Sequence, residues 1–281
     1  MKKAGIAALL AALLLLLTGC RMRTQYKIVA TTAPVQQLAQ AVCEGTGLEV
    51  GLVISDAVSC LHDYTLSVRQ METVERAELV ILSGAGLEDF MEDVLQASQD
   101  TIECADGVAL LPGEDGEADP HIWLDPDNAA IMARNIAHGL SVRYPAEAET
   151  FAANAEAVCA RLAALQDDCT ALLADLPTRG IITFHDGFSY FAQAFDLDIL
   201  AAIEEESGSE ASAKELKEMT ELVRDAGVPA VFVEKDGSRA AASVIAGETG
   251  CRIGTLDMLL SGSDYFEGLR ANAEAIREAM Q

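Results

Sequence analysis

The chain has 281 residues, of which 51% are hydrophobic, and its 45 acidic residues against 19 lysines and arginines give a formal net charge of −26. Nucleic acids and anionic membrane surfaces attract clustered lysine and arginine, so this charge argues against both as partners. The length suffices for two domains of ordinary size, each with its own core, once an N-terminal leader is set aside.

The first residues have the pattern of an export signal. Met1-Lys2-Lys3 is positively charged, and the apolar run from Ala4 to Leu17 is shorter than the about 20 residues that span a membrane. Because the run ends in Leu17-Thr18-Gly19-Cys20, we predict a lipoprotein signal over residues 1–19 with Cys20 as the lipidated N-terminus. An ordinary signal peptide with a chance cysteine is the alternative. We therefore expect an exported protein, anchored by lipid to the outer face of a bacterial cell membrane.

Alternation of strand-like and helical runs predicts an α/β lobe with a mainly parallel sheet over residues 20–145. The strand-like runs are Lys27 to Ala30, Leu48 to Ile54, Leu79 to Ser83 and Val108 to Leu111, and the helical runs include Val35 to Cys43, Leu87 to Ser98 and Asn128 to Val142.

Residues 146–176, between Pro145 and Pro177, predict one unusually long helix. Apolar positions recur at steps of four and three along it: Phe151, Ala155, Val158, Leu162, Leu165, Cys169 and Leu172. Such a stripe also permits a coiled-coil dimer. We favour a rigid helix that links two lobes of one monomer, because the stripe is rich in small residues and α/β patterns flank it.

Residues 177–281 predict a second α/β lobe. Its strand-like runs are Ile181 to Phe184, Ile199 to Ile203, Ala230 to Val233 and Arg252 to Leu256. Ser212-Ala213-Lys214-Glu215 predicts a capping box that opens a helix ending near Gly227, and Ala240 to Thr249 predicts another. The fold class that follows is α/β, with two mainly parallel lobes joined by one long rigid helix.

Ligands of parallel sheets bind beyond the carboxyl ends of the strands, and three of the four histidines fall there. His62 and His121 follow strands of the first lobe, while His185 and Asp257 follow strands of the second. Three imidazoles and one carboxylate complete a tetrahedral zinc site. His138 lies within a helix and is expected to be a surface residue.

Other candidate residues leave alternatives open. Glu234, at the end of a strand, is either a carboxylate that supports a ligand or the base of a zinc hydrolase. Cys60 is close enough to His62 to be a thiolate ligand. The sequence lacks the motifs of zinc proteases, serine hydrolases, phosphate loops and dinucleotide sites, and four protein ligands would close a zinc site to catalysis, so we expect no enzyme.

Six cysteines follow Cys20, and their even number allows disulfides in an exported protein. They are Cys43, Cys60, Cys104, Cys159, Cys169 and Cys251. Their pairing cannot be read from the sequence. Cys159 and Cys169 should not pair with each other, because ten residues of one helix separate them by about 15 Å.

Several motifs together resemble the zinc and manganese solute-binding lipoproteins of bacterial ABC importers, in which one long helix joins two lobes. They are the lipobox, Cys60-Leu61-His62-Asp63-Tyr64, Asp119-Pro120-His121-Ile122-Trp123-Leu124-Asp125-Pro126, Phe184-His185-Asp186-Gly187-Phe188-Ser189-Tyr190-Phe191 and Thr255-Leu256-Asp257.

The resemblance implies that one metal ion is bound between the lobes and delivered to an ABC permease. Its ligands would be His62, His121, His185 and Asp257. A third imidazole at position 185 favours zinc, with manganese as the alternative, since a carboxylate there would suit the harder ion. A surface adhesin without transport duty would keep the same fold and need no metal.

Overall fold

The computed structural model describes residues 26–56, 61, 64–95, 100–113, 116–202, 212–235 and 237–281, which form two four-stranded parallel sheets. The predicted signal sequence, Cys20, Cys60 and His62 lie outside these ranges. No helix in the described ranges is long and apolar enough to cross a membrane.

The first sheet has the strand order β2-β1-β3-β4. Its strands are β1 (Ile28–Ala30), β2 (Val50–Leu52), β3 (Leu79–Leu82) and β4 (Asp100–Glu103), and its helices are α1 (Ala33–Val42), α2 (Val68–Glu75) and α3 (Pro126–Arg143). Every residue of β1 and β3 is buried, as expected for central strands of a parallel sheet that is covered on both faces. The predicted α/β lobe is confirmed.

Two elements of this lobe were predicted wrongly. The fourth strand lies at Asp100–Glu103 and not at Val108 to Leu111. It is an edge strand in which only Ile102 is buried, so its sequence is mostly polar and lacks the apolar run that was used to predict strands. The helix expected from Leu87 to Ser98 is, over its described residues, a short 3₁₀ helix at Asp89–Met91 followed by turns. The preceding loop folds back on itself, and Gly84 and Gly86 adopt the left-handed conformations that this turn requires.

The second sheet repeats the same arrangement with the order β6-β5-β7-β8. Its strands are β5 (Gly180–Thr183), β6 (Asp198–Ala202), β7 (Ala230–Glu234) and β8 (Arg252–Leu256), and its helices are α5 (Ser189–Ala194), α6 (Ala213–Ala226), α7 (Ala240–Thr249) and α8 (Tyr265–Met280). The predicted capping box at the start of α6 is present, since Ser212 and Glu215 bond each other's backbone N–H, and Gly227 ends the helix with a φ of 63°.

The long helix is α4, which spans Ala148–Leu173 and has 26 residues. It packs against α1 and α3 of the first lobe and against α8 of the second. Its apolar stripe faces this interior, with Leu165 and Leu172 partly buried and the remaining members fully buried. The connecting role of the helix is confirmed, whereas the domain boundaries at residues 145 and 177 stay a prediction.

The five cysteines that the structure describes are free. All but Cys251 are buried, and burial raises the pKa of Cys43 and of Cys169 to about 11. Cys159 and Cys169 do not pair, as their spacing on one helix predicted. These buried thiols are poor nucleophiles and ligands at neutral pH, because both roles require the thiolate.

Candidate metal centre

Both sheets reverse their strand order beside the first strand of each lobe, between β1 and β3 and between β5 and β7. At such a switch point the loops diverge and leave a crevice beyond the strand ends. His185 follows β5, Glu234 ends β7 and Asp257 follows β8. Candidate residues of the second lobe thus lie at one end of its sheet.

His121 is held in a buried turn that leads into α3. Asp119 fixes it twice, since its Oδ1 accepts the backbone N–H of His121 at 2.9 Å and lies 2.7 Å from the ring Nδ1. Both side chains are almost completely buried, at 3% and 5% exposure. The fully buried 3₁₀ helix Ile122–Leu124 follows directly and anchors this turn in the core. A carboxylate on Nδ1 leaves Nε2 as the nitrogen that can bind a ligand.

Hydrogen bonds from the second lobe also fix this turn. Trp123 Nε1 donates to the backbone oxygen of Met258 at 2.9 Å, and the hydroxyl of Tyr265 donates to the backbone oxygen of Trp123. The hydroxyl of Tyr190 donates to the backbone oxygen of Asp119 at 3.0 Å. The position of His121 therefore depends on contacts between the lobes.

His185 faces His121 across the interface between the lobes. Thr183 Oγ1 donates to the backbone oxygen of His185 at 2.9 Å, which fixes the loop just after β5. The His185 Nδ1 lies 3.6 Å from Glu234 Oε1, so a carboxylate stands beside this ring as well. The two rings are nearly perpendicular, at 88°, and their Nε2 atoms are 3.4 Å apart.

This separation fits a shared metal ion. Two nitrogens that each lie about 2.05 Å from one tetrahedral zinc ion are about 3.3 Å apart, and the observed Nε2 separation is 3.4 Å. The Nδ1 of His121 lies within hydrogen-bond distance of Asp119 and that of His185 lies 3.6 Å from Glu234, so the Nε2 atom of each ring is the one that faces the other ring. The donor chemistry of the pair therefore suits a borderline-soft divalent cation.

Asp257 is engaged differently. Its Oδ2 accepts hydrogen bonds from Lys235 Nζ at 2.9 Å and from Ser263 Oγ at 2.7 Å, and its Oδ1 accepts the backbone N–H of Leu259 at 2.8 Å. Asn272 on α8 bonds both the N–H and the C=O of Asp257, at 2.8 Å each. Burial acts to raise the pKa of Asp257, but the hydrogen bonds from Lys235 and Ser263 outweigh it and hold the pKa below its usual value.

The structure thus brings His121 and His185 together and places Glu234 beside the second of them. Among the described residues, no group of three or more histidine, cysteine, aspartate or glutamate side chains is arranged to hold a metal ion. His62 lies outside those residues, and His138 is exposed on α3. The four-ligand set with Asp257 stays a prediction.

Sequence reasoning missed Asp119 and Lys235. An Asp two residues before a candidate histidine was an available signal, since short acidic side chains bond the backbone two residues on. Lys235 is next to Asp257 because β7 and β8 are neighbours in register Glu234 to Leu256, and this pairing has no linear signature.

Comparisons with known proteins find relatives and solved structures that are similar to this chain. Zinc-binding protein AdcA of Streptococcus pyogenes is 26% identical over 286 residues, which cover 89% of this chain and 55% of that relative. The chain therefore spans little more than half the length of this relative. A crystal structure of ZnuA matches with a TM-score of 0.81 at 29% identity, over 91% of this chain and 99% of the other.

Another similar structure is laminin binding protein (Lmb) of Streptococcus agalactiae, described as bifunctional, with adhesin and metal transporting activity. It matches with a TM-score of 0.80 at 25% identity, over 90% of this chain and 99% of the other. The family model "ZnuA: Zinc-uptake complex component A periplasmic" matches residues 28–279, nearly the whole described chain. The chain accordingly belongs to this zinc-uptake family.

Proposed function

We propose that this protein captures one zinc ion between its two lobes, outside the cytoplasm, and delivers it to the permease of an ABC importer. The observation that carries the proposal is the facing pair of imidazoles, with the Nε2 atoms of His121 and His185 at 3.4 Å. The family description, a component of a zinc-uptake complex, supports binding and delivery rather than catalysis.

The chain's own residues prepare the imidazoles for their cargo. Asp119 holds the ring of His121 through Nδ1, and Glu234 stands beside Nδ1 of His185. Carboxylates in this position orient a ligating histidine and increase the basicity of its free nitrogen. His62 would add the third imidazole, and Asp257 the fourth ligand once its carboxylate is released from Lys235. Four protein ligands leave no open position for a reacting water, so we propose no enzymatic activity.

Titration of the metal-stripped protein tests this proposal. The wild type should bind one zinc ion per chain, and His121→Ala and His185→Ala should each weaken zinc binding by at least about 100-fold, or ~2.7 kcal/mol. His138→Ala is the matched control, because this histidine is exposed on α3, and it should bind zinc as the wild type does. A wild type without zinc affinity, or full affinity in both site variants, would overturn the proposal.

Manganese is the alternative cargo. Manganese binds most weakly among the first-row divalent ions, and a set of three imidazoles suits zinc better than this harder ion. Competition of the two ions for the stripped protein decides between them, and a wild-type preference for manganese would reverse the assignment.

The lipid anchor and the monomeric state belong to the same proposal. Cys20 in its lipobox supports a tether to the outer face of the membrane. In cells, Cys20→Ser should prevent stable attachment, so a mature variant chain that still fractionates with membranes would contradict the anchor. Sedimentation of the protein without its signal sequence and lipidated Cys20 should give the mass of one chain.

Adhesion is a second candidate function, supported by the likeness to the laminin binding protein of Streptococcus agalactiae. It predicts saturable binding to immobilised laminin that His121→Ala leaves intact. Binding no stronger than to an albumin-coated surface would exclude it.

A further inference from the structure

The carboxylate of Asp257 is occupied by a cation of the chain itself. Lys235 follows the last residue of β7, and its backbone N–H donates to the oxygen of Leu256 at 2.8 Å. This extends the β7–β8 pairing by one step and brings the side chains of Lys235 and Asp257 together, with Nζ and Oδ2 at 2.9 Å. The contact thus follows from the strand register.

Ser263 closes the contact into a triangle. Lys235 Nζ donates to Ser263 Oγ at 2.9 Å, and the same hydroxyl donates to Asp257 Oδ2 at 2.7 Å. Because Leu259 N–H takes the other oxygen, both oxygens of Asp257 already have strong donors. A metal ion that binds Oδ2 of Asp257 therefore competes with the ammonium group of Lys235.

The positions of these groups make the displacement selective. The backbone of Asp257 is clamped from both sides by Asn272, so the carboxylate cannot move far from Lys235 by shifting its strand. Lys235 is half exposed, at 48%, whereas the Asp257 side chain is 16% exposed, so the lysine is the partner that can swing away into water. The free-energy cost of moving Lys235 away is therefore most important for the ion whose binding depends most on an oxygen ligand.

We propose that Lys235 is a specificity-determining residue of the metal site, because its ammonium group competes for Asp257 and so penalises manganese more than zinc. The inference rests on the proposed metal-binding function. Imidazole nitrogens bind zinc well, while manganese prefers carboxylate and other oxygen ligands. An Asp257 carboxylate whose charge is neutralised by Lys235 therefore weakens the site mainly for manganese. Lys235 is a positioning residue here, since it acts through Asp257.

The test measures the affinities of stripped protein for Zn²⁺ and Mn²⁺ separately, by competition with a chromophoric chelator. Lys235→Met removes the charge and keeps the length of the side chain. It should raise the affinity for Mn²⁺ about tenfold more than that for Zn²⁺, a change of ~1.4 kcal/mol. Lys235→Gln serves as a second neutral variant, and Lys235→Arg should keep the wild-type ratio.

Lys217→Met is the matched control, because Lys217 lies on the exposed face of α6 at 75% exposure and its loss changes the net charge equally. It should leave the ratio of the two affinities unchanged. Adding Asp257→Asn to Lys235→Met should abolish the gain for Mn²⁺, since the lysine acts only through this carboxylate.

The results distinguish the role of Lys235 from the metal binding on which that role depends. A wild type that binds neither ion overturns both. A wild type that binds zinc, with the same Zn²⁺ to Mn²⁺ ratio in both neutral variants, overturns only the role of Lys235. A gain for Mn²⁺ that persists in the double variant overturns it as well, because general charge and not Asp257 would then be responsible.

Discussion

Glu88 in the first lobe and Asp257 in the second both lie beyond the carboxyl ends of parallel strands, yet they are stabilised in opposite ways. Glu88 is buried and accepts hydrogen bonds from the Thr31 hydroxyl at 2.6 Å and from the N–H groups of Ser83 and Gly84 at 2.7 and 3.0 Å. These donors are neutral. Asp257 has the ammonium of Lys235 at 2.9 Å.

The difference appears in their pKa values. Burial raises the pKa of Glu88 to about 7, although its three hydrogen bonds act in the other direction. The pKa of Asp257 is lowered, because the hydrogen bonds from Lys235 and Ser263 outweigh partial burial. Neutral donors thus do not offset the desolvation of a fully buried carboxylate, whereas a lysine offsets that of a partly buried one. Burial thus raises the pKa of the carboxyl group in the first lobe, and the lysine and serine hydrogen bonds lower that of the carboxyl group in the second.

The largest expected effect concerns Glu88 and the stability of the fold. Its folded pKa of about 7 exceeds the ordinary value of 4.5, so the folded protein binds more protons between these values. This contribution to stability is full below pH 4.5 and is lost as the pH rises through 7. It amounts to roughly 3 kcal/mol, since one pKa unit corresponds to about 1.4 kcal/mol.

Glu88→Gln should remove this dependence, because the amide does not titrate. The measurement is urea unfolding at several pH values, and the stability of the wild type relative to the variant should fall as the pH rises. Glu92→Gln, at an exposed position on the same turn, is the control and should follow the wild type. A constant difference between wild type and Glu88→Gln would contradict a protonated Glu88.

The next effect concerns the carboxylates that lie beside the two imidazoles. Asp119 lies 2.7 Å from the Nδ1 of His121, while Glu234 lies 3.6 Å from that of His185. Loss of such a carboxylate typically weakens metal binding 10–100-fold, i.e. about 1.4–2.7 kcal/mol. Asp119→Asn should therefore weaken zinc binding by an amount in this range, and Glu234→Gln by less. Chelator competition measures both, and equal losses would show that the closer contact has no special role.

An effect of similar size is expected where the two lobes are joined. Trp123→Phe removes the N–H that donates to the backbone oxygen of Met258 and leaves that oxygen without this donor. An unsatisfied buried polar group costs about 1–3 kcal/mol, so the melting temperature should fall. Tyr265→Phe removes the other bond to this residue and provides the comparison. An unchanged melting temperature in both variants would show that these bonds add nothing to the union of the lobes.

Periodicity and position along the chain predicted most of the fold and part of the site. The long helix and the central strands carry strong apolar patterns, so α4, β3 and β5 were found, and the end of β5 pointed to His185. His121 was singled out from a strand expected at Val108 to Leu111, which the structure does not have, and it lies instead in the turn before α3. The edge strand β4 was missed because a strand with one buried residue has no apolar pattern. The pairing of Lys235 with Asp257 was missed because it depends on which strands are neighbours.

The smallest expected effect completes the contrast between the two carboxylates. In metal-free protein, Asp257→Asn breaks the contact with Lys235, whose side chain is 48% exposed. Because water screens such a pair, the loss of stability at pH 7 should be under about 1 kcal/mol. A lowered pKa contributes stability above the unfolded value, and this contribution is lost as the pH falls through the folded value.

The difference between wild type and Asp257→Asn should therefore shrink in acid, below the ordinary pKa of 3.8. This is the opposite of Glu88, whose contribution disappears as the pH rises. Urea unfolding at about pH 7 and pH 3 measures it, since these values lie above and below the ordinary aspartate pKa of about 3.9. Asp168→Asn is the control, because Asp168 is 68% exposed and lies 3.6 Å from Arg270 on the surface. If Asp257→Asn were more stable than the wild type at pH 7, the contact with Lys235 would not stabilise the carboxylate. Displacement of Lys235 by a metal ion would then cost little.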